Sequence, residues 1–164
     1  MSIRFGILTL SDRSAIGERP DASGPALADL VRAQGWPVAK QAILPDDEST
    51  IRTALIEWAD SGDVDIILTT GGTGFAPRDI TPEATRAVIE RDAPGLAETM
   101  RAESLKKTPH AMLSRAVAGI RGRTLIVNLP GSPKGALENM QTILPVLPHA
   151  VQLLTGDPGS EASH

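Results

Sequence analysis

The stretch Thr69-Thr-Gly-Gly-Thr-Gly-Phe-Ala-Pro-Arg-Asp-Ile-Thr-Pro-Glu-Ala-Thr85 decides the fold of this chain. It follows an apolar run at residues 64–68, and it leads into the helix-start signal Thr81-Pro82-Glu83. A strand, a glycine-rich turn and a helix in this order are how α/β proteins form an anion site at the carboxyl end of a strand. The stretch therefore predicts a parallel sheet with a binding site at its edge.

The residue types within this turn match that prediction. Glycine lets a backbone turn sharply and brings its N–H groups close to a ligand. The turn also supplies two hydroxyls, a cation and a carboxylate that could hold a metal ion. The residues concerned are Thr70, Gly71, Gly72, Thr73, Gly74, Arg78 and Asp79.

Two better-known phosphate loops do not fit the turn. A P-loop needs lysine after its last glycine, but Phe75 follows Gly74. A dinucleotide-binding fingerprint that began at Gly72 would need its third glycine at position 77, which is Pro77. A tight strand-to-helix connection without a ligand is the remaining structural alternative, although it leaves the combined hydroxyls, cation and carboxylate unexplained.

Strands and helices are predicted to alternate along the chain, which favours a three-layer α/β/α domain with a mostly parallel sheet. The predicted strands are residues 5–10, 38–44, 64–70 and 124–129. Helices are predicted over residues 26–33 and 94–106, and further helices should begin after a cap at residues 47–50, at the cap Thr81 and after residues 130–134. The last helical stretch should end at Thr155 and be interrupted at Pro145 and Pro148. Residues 108–114 are expected to form a loop. We expect one domain over residues 1–155 and a flexible polar tail over residues 156–164.

The composition excludes several classes of protein. The chain has 164 residues, a net charge of −4, 2% aromatic residues and no cysteine. A net negative charge with few aromatics argues against nucleic-acid binding, and the absence of cysteine excludes disulfides and thiolate metal sites. Short apolar runs and the lack of a signal-peptide pattern predict a cytoplasmic protein without membrane segments.

Polar residues follow the other predicted strands as well. Ser11 and Asp12 come after the first strand, and Asp46 follows the second, beside Asp47, which suits a helix cap better. The segment Asn128-Leu-Pro-Gly-Ser-Pro-Lys134 ends the last strand and offers a serine, exposed amides and a lysine to a phosphate. Each segment alone could be ordinary capping, but carboxyl ends of parallel strands share one edge. We therefore predict one composite site, to which Ser114 and Arg115 are added as further candidates.

These segments together resemble the molybdopterin adenylyltransferase family, over roughly residues 3–155. The resemblance implies a three-layer α/β/α fold, a homotrimer and a role in molybdenum cofactor biosynthesis, with possible contacts to other proteins of that pathway. The reaction that it implies transfers AMP from MgATP to the terminal phosphate of molybdopterin and releases pyrophosphate. ATP is then a co-substrate and Mg²⁺ the cofactor.

The resemblance also implies roles for individual residues. The two essential acids of the family fall on Asp46 and Asp79, for which we predict Mg²⁺ binding. The substrate-binding positions fall on Ser11, Asp12, Thr70, Gly71, Gly72, Thr73, Gly74, Arg78, Ser114, Arg115, Asn128, Pro130, Gly131, Ser132 and Lys134. Within them, we expect residues 70–74 to hold the pterin, and Arg78, Lys134 and backbone amides to hold phosphates.

Two alternatives share this fold. Some relatives of the MoaB branch lack the acid that corresponds to Asp46, so a non-catalytic molybdopterin-binding or scaffold protein of the same pathway is the second hypothesis. Asp46 and the whole 128–134 segment are present here, which favours the active branch. A molybdenum-insertion domain of a larger protein is the third, and the length of 164 residues is expected to favour a free-standing enzyme instead.

Overall fold

The computed structural model describes residues 2–163, with side chains as far as Ser160. Its centre is a six-stranded sheet in the order β2-β1-β3-β6-β5-β4. The strands are β1 (Phe5–Leu10), β2 (Val38–Leu44), β3 (Ile66–Thr70), β4 (Arg91–Asp92), β5 (Ala118–Arg121) and β6 (Thr124–Leu129). The first four positions of the sheet are parallel, while β5 and β4 pair antiparallel at one edge. A mostly parallel sheet is thereby confirmed.

Helices cover both faces of this sheet. They are α1 (Asp12–Ala15), α2 (Ser23–Ala33), α3 (Glu48–Asp60), α4 (Thr81–Val88), α5 (Pro94–Leu105), α6 (Pro133–Ile143) and α7 (Leu147–Thr155). Side chains alternate between the two faces of a strand. Ile66 and Leu68 accordingly pack in the core that contains residues of α2, α5, α6 and α7, whereas Ile67 packs in the core that contains residues of α3 and α4. The architecture is the predicted α/β/α sandwich.

The register brings the carboxyl ends of the parallel strands to one edge. Thr9 of β1 lies opposite Thr70 of β3, and Thr70 lies opposite Leu129 of β6. The polar segments that follow these strands consequently start at the same level. This alignment is what assembles the site described below.

Several local predictions differ from the structure. Thr81 is predicted as a helix cap, but its hydroxyl donates to the Gly71 carbonyl oxygen at 2.9 Å and the helix has no side-chain cap. The expected 108–114 loop contains a 3₁₀ helix, Pro109–Leu113, because the Thr108 hydroxyl accepts a bond from the His110 amide. β4 and β5 are absent from the prediction, since both are too short to show a pattern.

The C-terminal segment, for which a flexible polar tail is predicted, contains the 3₁₀ helix Pro158–Ser163. Asp157 starts this helix, because its carboxylate accepts from the Gly159 amide and its carbonyl oxygen accepts from the Ser160 amide. His164, the last residue of the expected tail, lies outside the described residues. The flexibility of the tail and the single-domain boundary stay predictions.

No helix within residues 2–163 combines the length and the apolar character needed to cross a membrane.

Candidate functional site

The turns after β3 and β6 form a wall at the carboxyl edge of the sheet. We call residues 70–74 and 130–133 the septum. Two hydrogen bonds link its two halves: the Thr70 hydroxyl donates to the Pro130 carbonyl at 2.7 Å, and the Gly71 amide donates at 3.1 Å to the carbonyl of Leu129, which precedes the second half. The halves also approach closely, since a Cβ on Gly131 would lie only 3.3 Å from the Gly71 Cα. One crevice opens on each side of this wall.

The first crevice, which we call the acidic crevice, has a volume of about 380 Å³. It is lined by three carboxylates and by polar groups from four strand ends. The lining residues are Thr9, Leu10, Ser11, Ser14, Arg19, Pro20, Asp21, Ala22, Ser23, Asp46, Thr70, Gly71, Gly72, Asp79, Gly131 and Pro133. Seven predicted site residues therefore meet here: Ser11, Asp46, Thr70, Gly71, Gly72, Asp79 and Gly131.

Asp46 is held in the acidic crevice by a reciprocal pair of bonds with Asp12. The Asp12 amide donates to Asp46 Oδ2 at 3.1 Å, and the Asp46 amide donates to Asp12 Oδ1 at 2.9 Å. The ends of β1 and β2 are thus joined directly. Asp12 acts as the partner that orients Asp46 and does not itself line either crevice.

The other oxygen of Asp46, Oδ1, is buried and has no hydrogen-bond partner. Burial is the main cause that raises the pKa of Asp46 above its ordinary value, and the charges of Asp12 and Asp79 add to it. A buried carboxylate oxygen without a donor is costly, and such a group is typical of a functional site. Its position suits a cation that would replace the missing donors.

Asp79 reaches the acidic crevice from the loop that follows the glycine-rich turn. Its Oδ2 accepts the amides of Gly74 at 3.1 Å and Ala76 at 3.0 Å, and its own amide donates to the Ala76 carbonyl. The loop is therefore folded around this carboxylate. Asp79 is half-buried, so it remains open to the crevice.

Glycine is required at the two positions between these acids. Gly71 has φ +104 and Gly72 has φ +69, a region that side chains with a Cβ rarely adopt. A Cβ on Gly72 would clash with the Thr81 hydroxyl and would lie 3.1 Å from Asp46 Oδ1. Glycine at position 72 thus keeps the space beside Asp46 in the acidic crevice free.

The second crevice lies on the other side of the septum and has a volume of about 320 Å³. Its lining combines residues of α5, α6 and the Pro109–Leu113 helix. The lining residues are Thr73, Gly74, Arg101, Ser104, Lys107, Thr108, His110, Ala111, Leu113, Ser114, Pro130, Ser132, Gly135, Glu138 and Asn139. Five predicted residues occur here: Thr73, Gly74, Ser114, Pro130 and Ser132.

Two predicted substrate residues, Asn128 and Arg115, have their polar groups engaged inside the protein. Asn128 is fully buried; its amide donates to the hydroxyls of Thr69 and Thr85, and its Oδ1 accepts the Val117 amide. Arg115 binds the loop between Gly74 and Asp79 from behind. Arg115 thereby supports the septum at Gly74, while Asn128 links β3, α4 and the segment before β5. A direct substrate contact by either side chain stays a prediction that this geometry does not favour.

Arg78 and Lys134 are exposed and line neither crevice. Arg78 forms a bidentate ion pair with Asp12, with Nε–Oδ2 at 2.8 Å and Nη2–Oδ1 at 2.9 Å. This pair is the main cause that lowers the pKa of Asp12. Lys134 Nζ lies 3.9 Å from Glu138 Oε1, and Ser132 caps α6 by accepting the Gly135 amide. The predicted phosphate-binding roles of both cations stay predictions.

Sequence reasoning missed one wall of each crevice. Arg19 and Asp21 belong to the loop before α2, and Ser23 is the first residue of α2; Asp21 accepts the Thr9 hydroxyl and the Gly24 amide. An Asp placed three residues before Gly24 is a capping signal, and it could have marked this loop. His110 and Asn139 carried no such signal, because they come from segments that approach the septum only in the folded protein.

Within the part of the chain that the structure describes, no cluster of three or more His, Cys, Asp or Glu residues forms a complete metal cage. Asp46 and Asp79 instead provide two carboxylates in one crevice, with one oxygen of Asp46 unpartnered. Magnesium is usually held by one or two carboxylates together with substrate phosphates and water. The donor set fits Mg²⁺ on these terms.

Residues 6–149 match the family model described as "Probable molybdopterin binding domain". The chain is 41% identical to a molybdopterin adenylyltransferase of Helicobacter pylori, over 95% of this chain and 90% of that protein. It is also 47% identical to the molybdenum cofactor synthesis protein cinnamon of Drosophila melanogaster, but spans only 26% of that longer protein. The solved structure of the molybdopterin biosynthesis enzyme MoaB from Thermus thermophilus is similar, with 54% identity, a TM-score of 0.89, and coverage of 95% of this chain and 98% of that one.

Proposed function

Because the chain belongs to the molybdopterin-binding domain family, we propose that it is a molybdopterin adenylyltransferase of molybdenum cofactor biosynthesis. It transfers AMP from ATP to the terminal phosphate of molybdopterin and releases pyrophosphate. The observation that carries this proposal is the acidic crevice, where a glycine turn and the carboxylates of Asp46 and Asp79 meet. The similarity to an adenylyltransferase of nearly the same length supports it.

The nucleophile needs little activation by the protein. The terminal group of molybdopterin is a phosphate monoester with a second pKa of about 6, so it is mostly dianionic at pH 7. One of its oxygens forms a bond to the α-phosphorus of ATP, while the bond to the pyrophosphate oxygen breaks. The task of the protein is to bring two anions together and to stabilise the charge on the departing pyrophosphate.

We assign the placement of the charged groups to the acidic crevice. Asp46 and Asp79 would hold Mg²⁺, which when bound neutralises negative charge on the phosphates. The raised pKa of Asp46 is consistent with this role, because a cation favours the ionised carboxylate that burial disfavours. The exposed amides of the glycine turn are suited to phosphate oxygens.

We assign the pterin ring to the second crevice. A polar planar ring needs a concave surface with a few directed hydrogen-bonding groups. Thr73 and Ser114 offer hydroxyls there, and His110 and Glu138 offer further polar groups. This assignment divides the predicted pterin-binding turn: Thr73 and Gly74 belong to the pterin side, whereas Gly71 and Gly72 belong to the phosphate side.

A pterin-dependent pyrophosphate assay tests the function. The protein is mixed with ATP, MgCl₂ and molybdopterin, and pyrophosphate is measured with and without the pterin. We expect release of one pyrophosphate for each AMP transferred, and only when both substrates are present. Absence of pterin-dependent release, with molybdopterin still bound, would overturn the proposal.

A non-catalytic molybdopterin-binding protein is the second candidate, because the family model that matches residues 6–149 is described by molybdopterin binding alone. Both candidates predict molybdopterin binding, but only the enzyme releases pyrophosphate. The assay above therefore separates them directly.

Three finer expectations stay predictions: the homotrimer and the contacts with other proteins of the pathway, which the family resemblance implies, and the cytoplasmic location, which the sequence pattern predicts. Chelation of Mg²⁺ with EDTA should abolish the transfer, and light scattering of the purified protein should give the mass of three chains.

A further inference from the structure

Arg115 connects the two ends of the loop that carries Asp79. Its Nε donates to the Gly74 carbonyl at 2.7 Å, and its Nη2 donates to the Asp79 carbonyl at 2.9 Å. Its main-chain amide also donates to the Thr73 carbonyl at 2.8 Å. One side chain therefore sets the distance between the first and last residues of the 74–79 loop.

Glu83, in the first turn of α4, fixes the guanidinium itself. Nη1 of Arg115 lies 2.6 Å from Oε1 and 3.0 Å from Oε2 of Glu83. The planar guanidinium is thus held on three sides at fixed angles, by one carboxylate and two carbonyl oxygens. The side chains of both residues are only about one-third exposed, at 36% and 39%.

The same loop is closed from the inside by Asp79. Asp79 Oδ2 accepts the amides of Gly74 and Ala76, so the loop depends on two sets of bonds that share the residue pair Gly74 and Asp79. Loss of the outer set would leave the loop held by the Asp79 carboxylate, by the bond of the Asp79 amide to the Ala76 carbonyl and by the exposed ion pair of Arg78 with Asp12. The Asp79 carboxylate is the group that the proposed function assigns to the phosphate and metal side.

We propose that Arg115 and Glu83 are positioning residues that hold the Asp79 carboxylate in its working place in the acidic crevice. This inference rests on the proposed function for the role of Asp79, but the positioning itself can be measured without any substrate. It replaces the predicted substrate contact of Arg115, since the hydrogen bonds of its guanidinium go to the protein. Glu83 lines neither crevice, so we assign it a role in the site only through its contact with Arg115.

The structure offers a matched control at the opposite edge of the sheet. Arg121 donates to both carboxylate oxygens of Asp60, at 3.0 and 3.1 Å, and to the Val88 carbonyl at 3.0 Å. This pair has the same chemistry as the pair of Arg115 and Glu83, but it joins the last residue of the antiparallel strand β5 to the last residue of α3 and lines neither crevice. Asp60→Asn is therefore the control for Glu83→Gln, and Arg121→Met for Arg115→Met.

The experiment measures amide hydrogen exchange by NMR together with kinetics and thermal unfolding. In Glu83→Gln and Arg115→Met, we expect the amides of Gly74 and Ala76 to exchange about tenfold faster or more, because the loop opens locally. We expect kcat to fall by up to about a hundredfold in Arg115→Met and less in Glu83→Gln, since small displacements of a catalytic group are costly. The KM for molybdopterin should stay within about twofold.

Two further variants sharpen the result. Arg115→Lys should restore part of the protection at Gly74 and Ala76, because lysine can reach one of the acceptors but lacks the planar fork. Asp60→Asn and Arg121→Met should lower Tm while the exchange of Gly74 and Ala76 and kcat remain those of the wild type. If Arg115→Met does not fold, Glu83→Gln carries the test, since it keeps the guanidinium and its carbonyl bonds.

Specific outcomes overturn the inference. If Glu83→Gln and Arg115→Met lower Tm but leave both the loop exchange and kcat unchanged, the pair only stabilises the fold. If the KM for molybdopterin rises at constant kcat, Arg115 contacts the substrate. If the wild type releases no pyrophosphate, the proposed function fails, whereas the exchange measurement still decides the positioning.

Discussion

The two crevices differ in how their chemistry is supplied, although one wall separates them. The acidic crevice takes Asp46 and Asp79 from the segments that connect parallel strands to the next helices, and Asp21 from the loop before α2. The second crevice takes most of its polar groups from helical segments, such as His110 and Asn139. The first is therefore built by the sheet and the second by helix packing around it. We expect substitutions in the acidic crevice to affect the chemical step, and those in the second crevice to affect pterin affinity.

Removal of one acid from the acidic crevice should have the largest effect. Asp79→Asn keeps an oxygen that can accept the amides of Gly74 and Ala76, so the loop should remain folded. We expect kcat for AMP transfer to fall by about 10²–10³-fold, as when a group that stabilises charge in the transition state is removed. Asp46→Asn should behave similarly. Molybdopterin binding, measured by fluorescence, should be unchanged in both.

Two results would contradict this division of roles between the two crevices. Near-normal transfer by Asp79→Asn at saturating Mg²⁺ would exclude a metal-holding role. Loss of pterin binding together with transfer would instead make Asp79 a substrate contact, and the two crevices would not be separate in function.

Filling the space beside Asp46 in the acidic crevice should have the next largest effect on transfer. Gly72→Ala forces a Cβ against the Thr81 hydroxyl and toward Asp46, at a positive φ. We expect a loss of about 1–3 kcal/mol in the free energy of unfolding and a loss of transfer, from overpacking and strain together. Urea unfolding and the pyrophosphate assay measure the two effects.

Gly122→Ala is the control for strain, because Gly122 has φ +58 and a Cβ at this position would have nothing within 4 Å of it. It should lose stability from the backbone alone and keep full activity. If Gly72→Ala loses only as much stability as Gly122→Ala and likewise keeps full activity, the space beside Asp46 is not needed.

A substitution in the second crevice should change affinity more than rate. His110→Ala removes one polar group of the lining. We expect the KM for molybdopterin to rise by about 3–10-fold, which corresponds to one lost hydrogen bond, with kcat little changed. Steady-state kinetics at saturating ATP measure both values. A fall in kcat at unchanged KM would contradict the division between the crevices.

The pH dependence of stability should be the smallest effect. Because burial raises the pKa of Asp46, the native state keeps this proton at pH values where the unfolded chain has released it. The free energy of unfolding then falls as pH rises above the ordinary Asp pKa of about 3.9, until native Asp46 is also ionised. Asp46→Asn lacks this cost, so its Tm should exceed that of the wild type increasingly from pH 4 upward and then by a constant amount.

Thermal unfolding without Mg²⁺ between pH 4 and 8 measures this difference. Asp12 titrates in the opposite sense, since Arg78 lowers its pKa, but it is present in both proteins and cancels. A difference in Tm that shrinks with rising pH would contradict the burial of an uncompensated charge at Asp46.

The central strands could be predicted from the sequence because each is an apolar run between turn signals. Phe5–Leu10, Val38–Leu44 and Thr124–Leu129 have the predicted bounds, and β3 begins two residues later than expected. Arg91–Asp92 and Ala118–Arg121 escaped prediction, because a two-residue and a four-residue strand at the edge have no periodic pattern of their own. Their pairing depends on neighbours that only the folded sheet provides.

The polar site residues also divide into those whose position the sequence predicts and those whose position it does not. Asp46 and Asp79 meet in one crevice because carboxyl ends of parallel strands must share an edge, whatever the details of packing. Arg78 is predicted to hold a phosphate and Arg115 to contact a substrate, since a sequence does not reveal which acceptors a long side chain will find. Their partners Asp12 and Glu83 lie 66 and 32 positions away along the chain.

The sequence by itself determined the turn chemistry of residues 69–85, because glycine conformation and strand polarity are local properties. Only the tertiary structure decided which side of the septum each residue faces. Gly72 and Thr73 are neighbours in the chain, yet they line opposite crevices. The physical reason is that the direction of a turn residue is set by bonds to distant segments, here from Gly71 to Leu129 and from Arg115 to Thr73.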